Sequence, residues 1–388
     1  MKKIIESYVD EIKNELIDLA NYIYNNPEVG LKEYKASTQI TILLQNLGFK
    51  VQKGIAGLET AFRAEYSNKK GGPVIGLLCE YDALEGLGHA CGHHIQPSVI
   101  IGAAYAIKNS LVAEPYTLVI FGTPAEETIG GKLQMLEEGC FTELDVALMV
   151  HGGPKTTTDI KSLALNKIEV VFKGKSAHAA LRPDQGRSAL DAMLLSFQGI
   201  EFLREHVTDD VKLHYTVING GGPANIIPSN AIGSYYIRAE KNANLEETLE
   251  RFKNIIKGAA LMTDTDYDLI VEKSIKAKVP VLTLNNLLMK NAKALGAKRI
   301  SKPREKTGST DFGNVMSRIP GSCLRIALVP EGTSSHSLEF LNAGKTEDAK
   351  ETIIMASKIL ALSINDLVTK KYVLKDIKKE FEDNKRIN

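Results

Sequence analysis

Three short apolar runs, Val74 to Leu78, Thr117 to Phe121 and Val146 to Val150, each give way to residues with metal-binding chemistry. The segments between them, Val99 to Leu111 and Lys132 to Glu138, read as helices, so strands and helices alternate. Such alternation predicts a layered α/β domain whose strands deliver ligand-binding side chains at their carboxyl ends. Ahead of it, Ile4, Ile5, Tyr8, Val9, Ile12, Leu16, Leu19, Ala20 and Ile23 recur at helical spacing, and Lys35 to Leu47 reads as a second helix ending near Gly48.

From about Ile168 the pattern changes. Strand (Ile168 to Phe172), helix (Ser188 to Leu203), two strands (Leu213 to Ile218, Ala231 to Ile237), helix (Leu245 to Ala260) and strand (Tyr267 to Val271) follow the β-α-β-β-α-β order of a ferredoxin-like unit. Candidate site residues resume only afterwards, which predicts an insertion at 166–277 into a discontinuous catalytic domain of 1–165 and 278–388. A chain of 388 residues is long enough for two cores. Residues past Val373 are dense in both charges and predict a solvated terminal helix or frayed tail.

A net charge of +1 argues against nucleic acid and favours small polar or charged substrates. Acidic residues follow Lys2-Lys3 at once, so no apolar signal core is expected, and no run of 18 apolar residues occurs. Cys79, Cys91, Cys140 and Cys323 are too few and too scattered for a disulfide framework. Three of them sit in apolar surroundings as small buried residues; Cys91 lies among Gly and His. A cytoplasmic protein is expected.

The donors are Cys91 and His93 in Gly88-His89-Ala90-Cys91-Gly92-His93-His94, then Glu126-Glu127, His151 and His336, a mixed S, N and O set suited to Zn²⁺ or Mn²⁺. Cys91 and His93, two apart around a glycine, can converge on one point, and a thiolate can bridge two ions. Two adjacent carboxylates suit a division of labour, Glu127 on a metal and Glu126 free to carry a proton. In the insertion, His178 is either a polar loop residue or a donor to a developing oxyanion. Arg238 is either a surface cation or a fork for a substrate carboxylate, and Asn225 either binds substrate or forms a turn.

The string from Glu80 to His93, with Thr123-Pro124-Ala125-Glu126-Glu127, Gly174-Lys175-Ser176-Ala177-His178-Ala179, Asn225-Ile226-Ile227-Pro228 and Gly308-Ser309-Thr310-Asp311-Phe312, resembles a large metallo-aminohydrolase and carboxypeptidase family. Aminoacylases, glutamate carboxypeptidase, aminobenzoyl-glutamate hydrolases and auxin-conjugate hydrolases belong to it. The likeness runs from about Glu11 to Leu362 and is strongest to the His-Ala-Cys-Gly-His branch.

That resemblance implies a two-metal, aminopeptidase-like catalytic domain with an inserted lid and dimerisation domain. It implies two divalent ions per chain, Zn²⁺ or Mn²⁺ with Co²⁺ or Ni²⁺ as further candidates. Cys91 would bridge them, with His93 and His151 on one ion and Glu127 and His336 on the other. Glu126 would act as general base and acid, Asp82 would steady a ligand, and Asp311 would be structural. His178 and Asn225 would act on substrate, in some relatives across a homodimer, with Arg238 on the carboxylate. The implied activity is attack of metal-bound water on the amide of an N-acyl or N-aminoacyl amino acid, a biosynthetic N-acetyl amino-acid deacetylase being the alternative. A Cys91–His93 hydrolase would leave Glu127, His151 and His336 without a role, and a silent binding relative would lack a key residue, which this chain does not. His94 departs from the Asp or Asn usual at its place.

Overall fold

A computed structural model describes residues 1–305 and 307–388. The chain forms two compact units, Met1–Lys161 with Lys278–Ile387, and Ser162–Ala277. Strands of the first unit are β1 (Lys50–Lys53), β2 (Phe62–Asn68), β3 (Val74–Cys79), β4 (Tyr116–Gly122), β5 (Val146–Gly153) and β6 (Thr157–Thr158). The second unit contributes β7 (Ala164–Lys173), β8 (Lys212–Asn219), β9 (Asn230–Ala239) and β10 (Asp266–Ile275), and the first resumes with β11 (Gly321–Ala327).

In the first unit seven strands run in the order β1-β2-β4-β3-β5-β11-β6. The middle four, β4, β3, β5 and β11, are parallel, and β2, β1 and β6 join antiparallel at the flanks. All eight residues of β5 are buried, as expected of a parallel strand covered on both faces, which explains its unbroken apolar run. One face of the sheet packs on the helices Gln96–Ser110, Leu282–Ala294 and Glu347–Thr369; the other packs on Phe141, Met135, Phe312 and Val315. Helix Glu347–Thr369 is long and apolar enough to cross a membrane by length and composition, but its residues from Ile353 to Val368 are mostly buried in this core.

The second unit is a four-stranded antiparallel sheet, β10-β7-β9-β8, crossed by helices Ala189–Arg204 and Asn242–Thr263. This is a ferredoxin-like arrangement. Burial alternates along β7 and β9, the mark of a sheet with one face on a core, here Ile168, Val170, Phe172, Tyr235 and Ile237. Ser188 caps the first helix by accepting the Asp191 N–H at 3.1 Å.

Of the two alternatives for the charged C-terminal segment, the helix is the one formed: Lys371–Lys385 is helical and held down by buried Ile377 and Phe381. Burying those two side chains contributes about 1.5–3 kcal/mol each, enough to dock a helix that is otherwise polar. One expectation is corrected: Cys140 is only partly buried.

Candidate metal centre

The donors sit at the carboxyl ends of the central parallel strands. After β3 the chain passes through Glu80 and Asp82 to the turn at Cys91-Gly92-His93, where Gly92 has φ 82°. A Cβ on Gly92 would also come within 3.1 Å of the Leu328 and Phe340 side chains, so the turn favours glycine in conformation and leaves little room for more. After β4, Ala125 takes φ 61°, a left-handed conformation costing about 1–3 kcal/mol. It is held there by buried Glu33, whose Oε1 accepts the Ala125 N–H at 2.8 Å and whose Oε2 accepts the Thr60 hydroxyl at 2.8 Å. That turn presents Glu126 and Glu127. His336, also left-handed at φ 62°, donates its N–H to the Ala90 carbonyl at 3.0 Å, tying a late loop to the cysteine turn.

All five sequence-derived donors converge. The ligand atoms of Cys91, His93 and His151 lie within 4.8 Å of one another, and so do those of Cys91, Glu127 and His336. Cys91 belongs to both groups, its sulfur 3.4 Å from Nε2 of His151. Glu127 Oε1 is 3.4 Å from Nε2 of His336 and 3.9 Å from Nε2 of His93. His151 and His93 have their other ring nitrogens engaged, His151 Nδ1 with the Gly152 carbonyl at 2.7 Å and His93 Nδ1 with Asp82 Oδ1 at 3.1 Å. Such contacts fix a metal-ligating imidazole's orientation.

Two observations show that this donor set fits a cation. Among the described residues, His93 Nε2 and Glu127 Oε1 are buried without a hydrogen-bond partner, and the carboxylate of Glu80 also comes within 3.2 Å of that nitrogen, an arrangement of lone pairs that is costly unless something positive lies among them. The set also combines a soft thiolate, imidazoles and a carboxylate, which suits borderline divalent metals.

Glu126 also lies with Glu80 and Asp311, but the cation of that group is a lysine. Lys132 Nζ is 2.6 Å from Glu80 Oε1 and 2.8 Å from Asp311 Oδ1, all three side chains buried. Burial, then the Glu80 and Asp311 charges, push the Glu126 carboxyl up to about 8. A carboxyl raised in this way is suited to exchanging protons near neutrality.

Asp311 is thus buried in an ion pair with Lys132, and Lys132 and Glu80 were not singled out in the sequence. His94 turns away from the donors: its Nε2 donates to the Gly344 carbonyl at 2.8 Å, its ring packs on Tyr24, and burial lowers its pKa to about 4.

In the second unit His178 and Asn225 are neighbours on paired loops, both exposed, the Ala179 N–H donating to the Asn225 carbonyl at 3.0 Å. His178 Nδ1 accepts the Ala180 N–H at 3.3 Å, which leaves Nε2 to carry the ring proton outward. Arg238 is the penultimate residue of β9, half-buried, its guanidinium 5.9 Å from the Tyr236 ring centre.

A cavity of about 280 Å³ opens beside the donors in the first unit, lined by Cys91, Glu126, Glu127, His151 and His336 and also by Lys278, Arg304 and Arg325. The three cations had no signal among the motifs, since each is a lone basic residue in an otherwise ordinary segment.

A family profile described as Peptidase family M20/M25/M40 matches residues 77–361. The chain is 32% identical to a mouse Xaa-Arg dipeptidase, over 98% of this chain and 92% of that one. It is 27% identical to a p-aminobenzoyl-glutamate hydrolase polypeptide of Escherichia coli (strain K12), over 98% and 94%. Its fold is similar to that of a Bacillus subtilis dinuclear metal binding peptidase from the M20 family, with a TM-score of 0.70, 20% identity and 92% and 99% coverage. The chain belongs to peptidase family M20/M25/M40 and is a metal-dependent amide hydrolase.

Proposed function

We propose that this chain cleaves the amide of small N-acyl or N-aminoacyl amino acids at a two-cation centre bridged by Cys91. The observation that carries the reading is that Cys91 belongs to both donor groups, one with His93 and His151 and one with Glu127 and His336. These residues would hold two divalent ions, Zn²⁺ or Mn²⁺ and alternatively Co²⁺ or Ni²⁺. Bound there, the ions would supply an acidified water and a polarised carbonyl.

The remaining chemistry falls to side chains. Glu126 takes the proton of the attacking water and returns it to the departing nitrogen, a role its elevated pKa supports. Nε2 of His178 donates to the developing oxyanion, Asn225 contacts the substrate, and the planar fork of Arg238 grips its α-carboxylate. Relatives named for an Xaa-Arg dipeptide and for p-aminobenzoyl-glutamate support this substrate class.

The inserted unit, on this reading, pairs two chains. Exposed Val217 and Ile218 on edge strand β8, with exposed Leu261 and Met262, support an apolar contact. Four free cysteines support a reducing, cytoplasmic setting.

The test joins metal analysis with a substrate panel. Chelation should abolish hydrolysis of N-acyl amino acids and dipeptides, a divalent ion should restore it, and reconstituted protein should approach two ions per chain. Cys91→Ala should lose at least one of them, and full activity in that variant would remove the bridging role.

A further inference from the structure

Arg325 and His151 are partners in the register of the parallel pair β11 and β5, so both side chains emerge on one face of the sheet, beside the donor cluster. The Arg325 side chain is 18% exposed and sends Nε to within 3.3 Å of Asp159 Oδ2. Lys278 Nζ reaches the same oxygen at 2.9 Å, and Arg304 meets Oδ1 at 2.7 Å. Arg304 is fixed by its backbone as well, its N–H donating to the Thr158 carbonyl at 2.9 Å while its own carbonyl accepts the Ile160 N–H at 2.8 Å.

Three cations thus meet one buried carboxylate, two of them guanidinium groups, and all three line the same cavity as Cys91, His151 and His336 and the carboxylates Glu80, Glu126 and Glu127. One lysine would suffice to neutralise Asp159. Two further guanidinium groups gathered at a cavity wall are costly to hold together unless an anion meets them, and a guanidinium fork matches a carboxylate best.

We propose that Lys278, Arg304 and Arg325 form a subsite for a second carboxylate on the substrate. This rests on the amide-hydrolase reading above and narrows it to dianionic substrates. The extra carboxylate belongs either to the acyl group, as in the monoamide of a dicarboxylic acid, or to an Asp or Glu side chain of the released amino acid. Asp159 pre-aligns the cations, and the guanidinium forks of Arg304 and Arg325 are the groups that meet that anion. A substrate bearing a basic group at this wall meets like charge and is rejected.

Two near-isosteric substrate pairs decide the matter on the metal-reconstituted enzyme. N-acetylglutamate against N-acetylglutamine probes the amino-acid side, and N-succinyl-leucine against its succinamoyl counterpart probes the acyl side. In at least one pair the carboxylate member should lead in kcat/KM by about tenfold or more, the scale of a charge-assisted hydrogen bond. Arg325→Gln should shrink that ratio to about threefold or less, with Arg325→Lys intermediate. Absence of a carboxylate preference in both pairs, or survival of the ratio in Arg325→Gln and Arg304→Gln alike, would overturn the subsite. An equal fall for both members would overturn it too, by showing that the wall serves the α-carboxylate. Calorimetric binding of glutarate against its half-amide gives a readout independent of turnover, with glutarate tighter on wild type and the advantage lost in Arg325→Gln. If no amide is hydrolysed, the hydrolase reading fails while calorimetry still judges the subsite. Arg304→Gln stands in should Arg325→Gln not fold.

Discussion

Asp82 Oδ1 lies 3.1 Å from Nδ1 of His93, and the second oxygen of the same carboxylate accepts the Glu127 N–H at 2.9 Å. One buried side chain therefore aims two donors, an imidazole and the backbone that carries a carboxylate. An Asn at this position retains a single carbonyl oxygen and loses the charge that favours the Nδ1–H tautomer. Asp82→Asn should weaken divalent-ion affinity by about tenfold or more, measured by competition with a chromophoric chelator. Affinity equal to wild type would show that His93 is oriented by its surroundings alone.

Glu126 stands beside the donors with an elevated pKa, while its neighbour Glu127 contributes to both histidine contacts. Glu126→Gln should keep the metal content of the wild type while turnover falls by about a hundredfold or more. Elemental analysis and steady-state kinetics on the same preparation check both halves. Loss of metal from this variant would instead make Glu126 a ligand.

Much of this was legible in the sequence because residues that cannot be exchanged chemically lie in short strings. Cys91-Gly92-His93 and Glu126-Glu127 announce themselves by type and spacing, and the largely buried strands β3, β4 and β5 by their apolar runs. Strand β11 escaped notice because Arg325 interrupts it, and a charge in a central strand is readable only once Asp159, 166 positions earlier, is known to meet it. The Glu80–Lys132–Asp311 group was hidden for the same reason: its members are ordinary surface residue types, and only the fold buries them together. In the sequence the C-terminal segment is open between helix and frayed tail because two apolar residues among many charges are a weak pattern; burial of Ile377 and Phe381 and the bonds that Glu380 accepts from Leu282 and Thr283 decide for the docked helix.

That lysine provides a third prediction. Lys132 is the only lysine side chain within hydrogen-bond reach of Glu80 and Asp311 among the described contacts, and removing one member of a buried ionic group strands its partners. Lys132→Met should destabilise the protein by about 3–5 kcal/mol, read as a drop in the urea midpoint. A change within about 0.5 kcal/mol would show that the two carboxyls simply take up protons at little cost.

The last prediction concerns acid. Burial alone would raise the Asp159 carboxyl, but Lys278, Arg325 and Arg304 outweigh it and hold the group well below the usual carboxylate range. A folded-state pKa below the unfolded value means that the unfolded chain takes up this proton first as pH falls. The stabilisation from Asp159 is therefore complete above about pH 4, near the unfolded carboxyl's ordinary value, and is lost progressively as the solution is made more acidic. Asp159→Asn removes the anion while leaving three cations around its site. It should cost about 3 kcal/mol near neutrality and should flatten the decline of stability below pH 4, both measurable by urea unfolding across a pH series. A variant that loses stability with acid as steeply as wild type would show that other carboxylates, Glu80 foremost, govern acid unfolding.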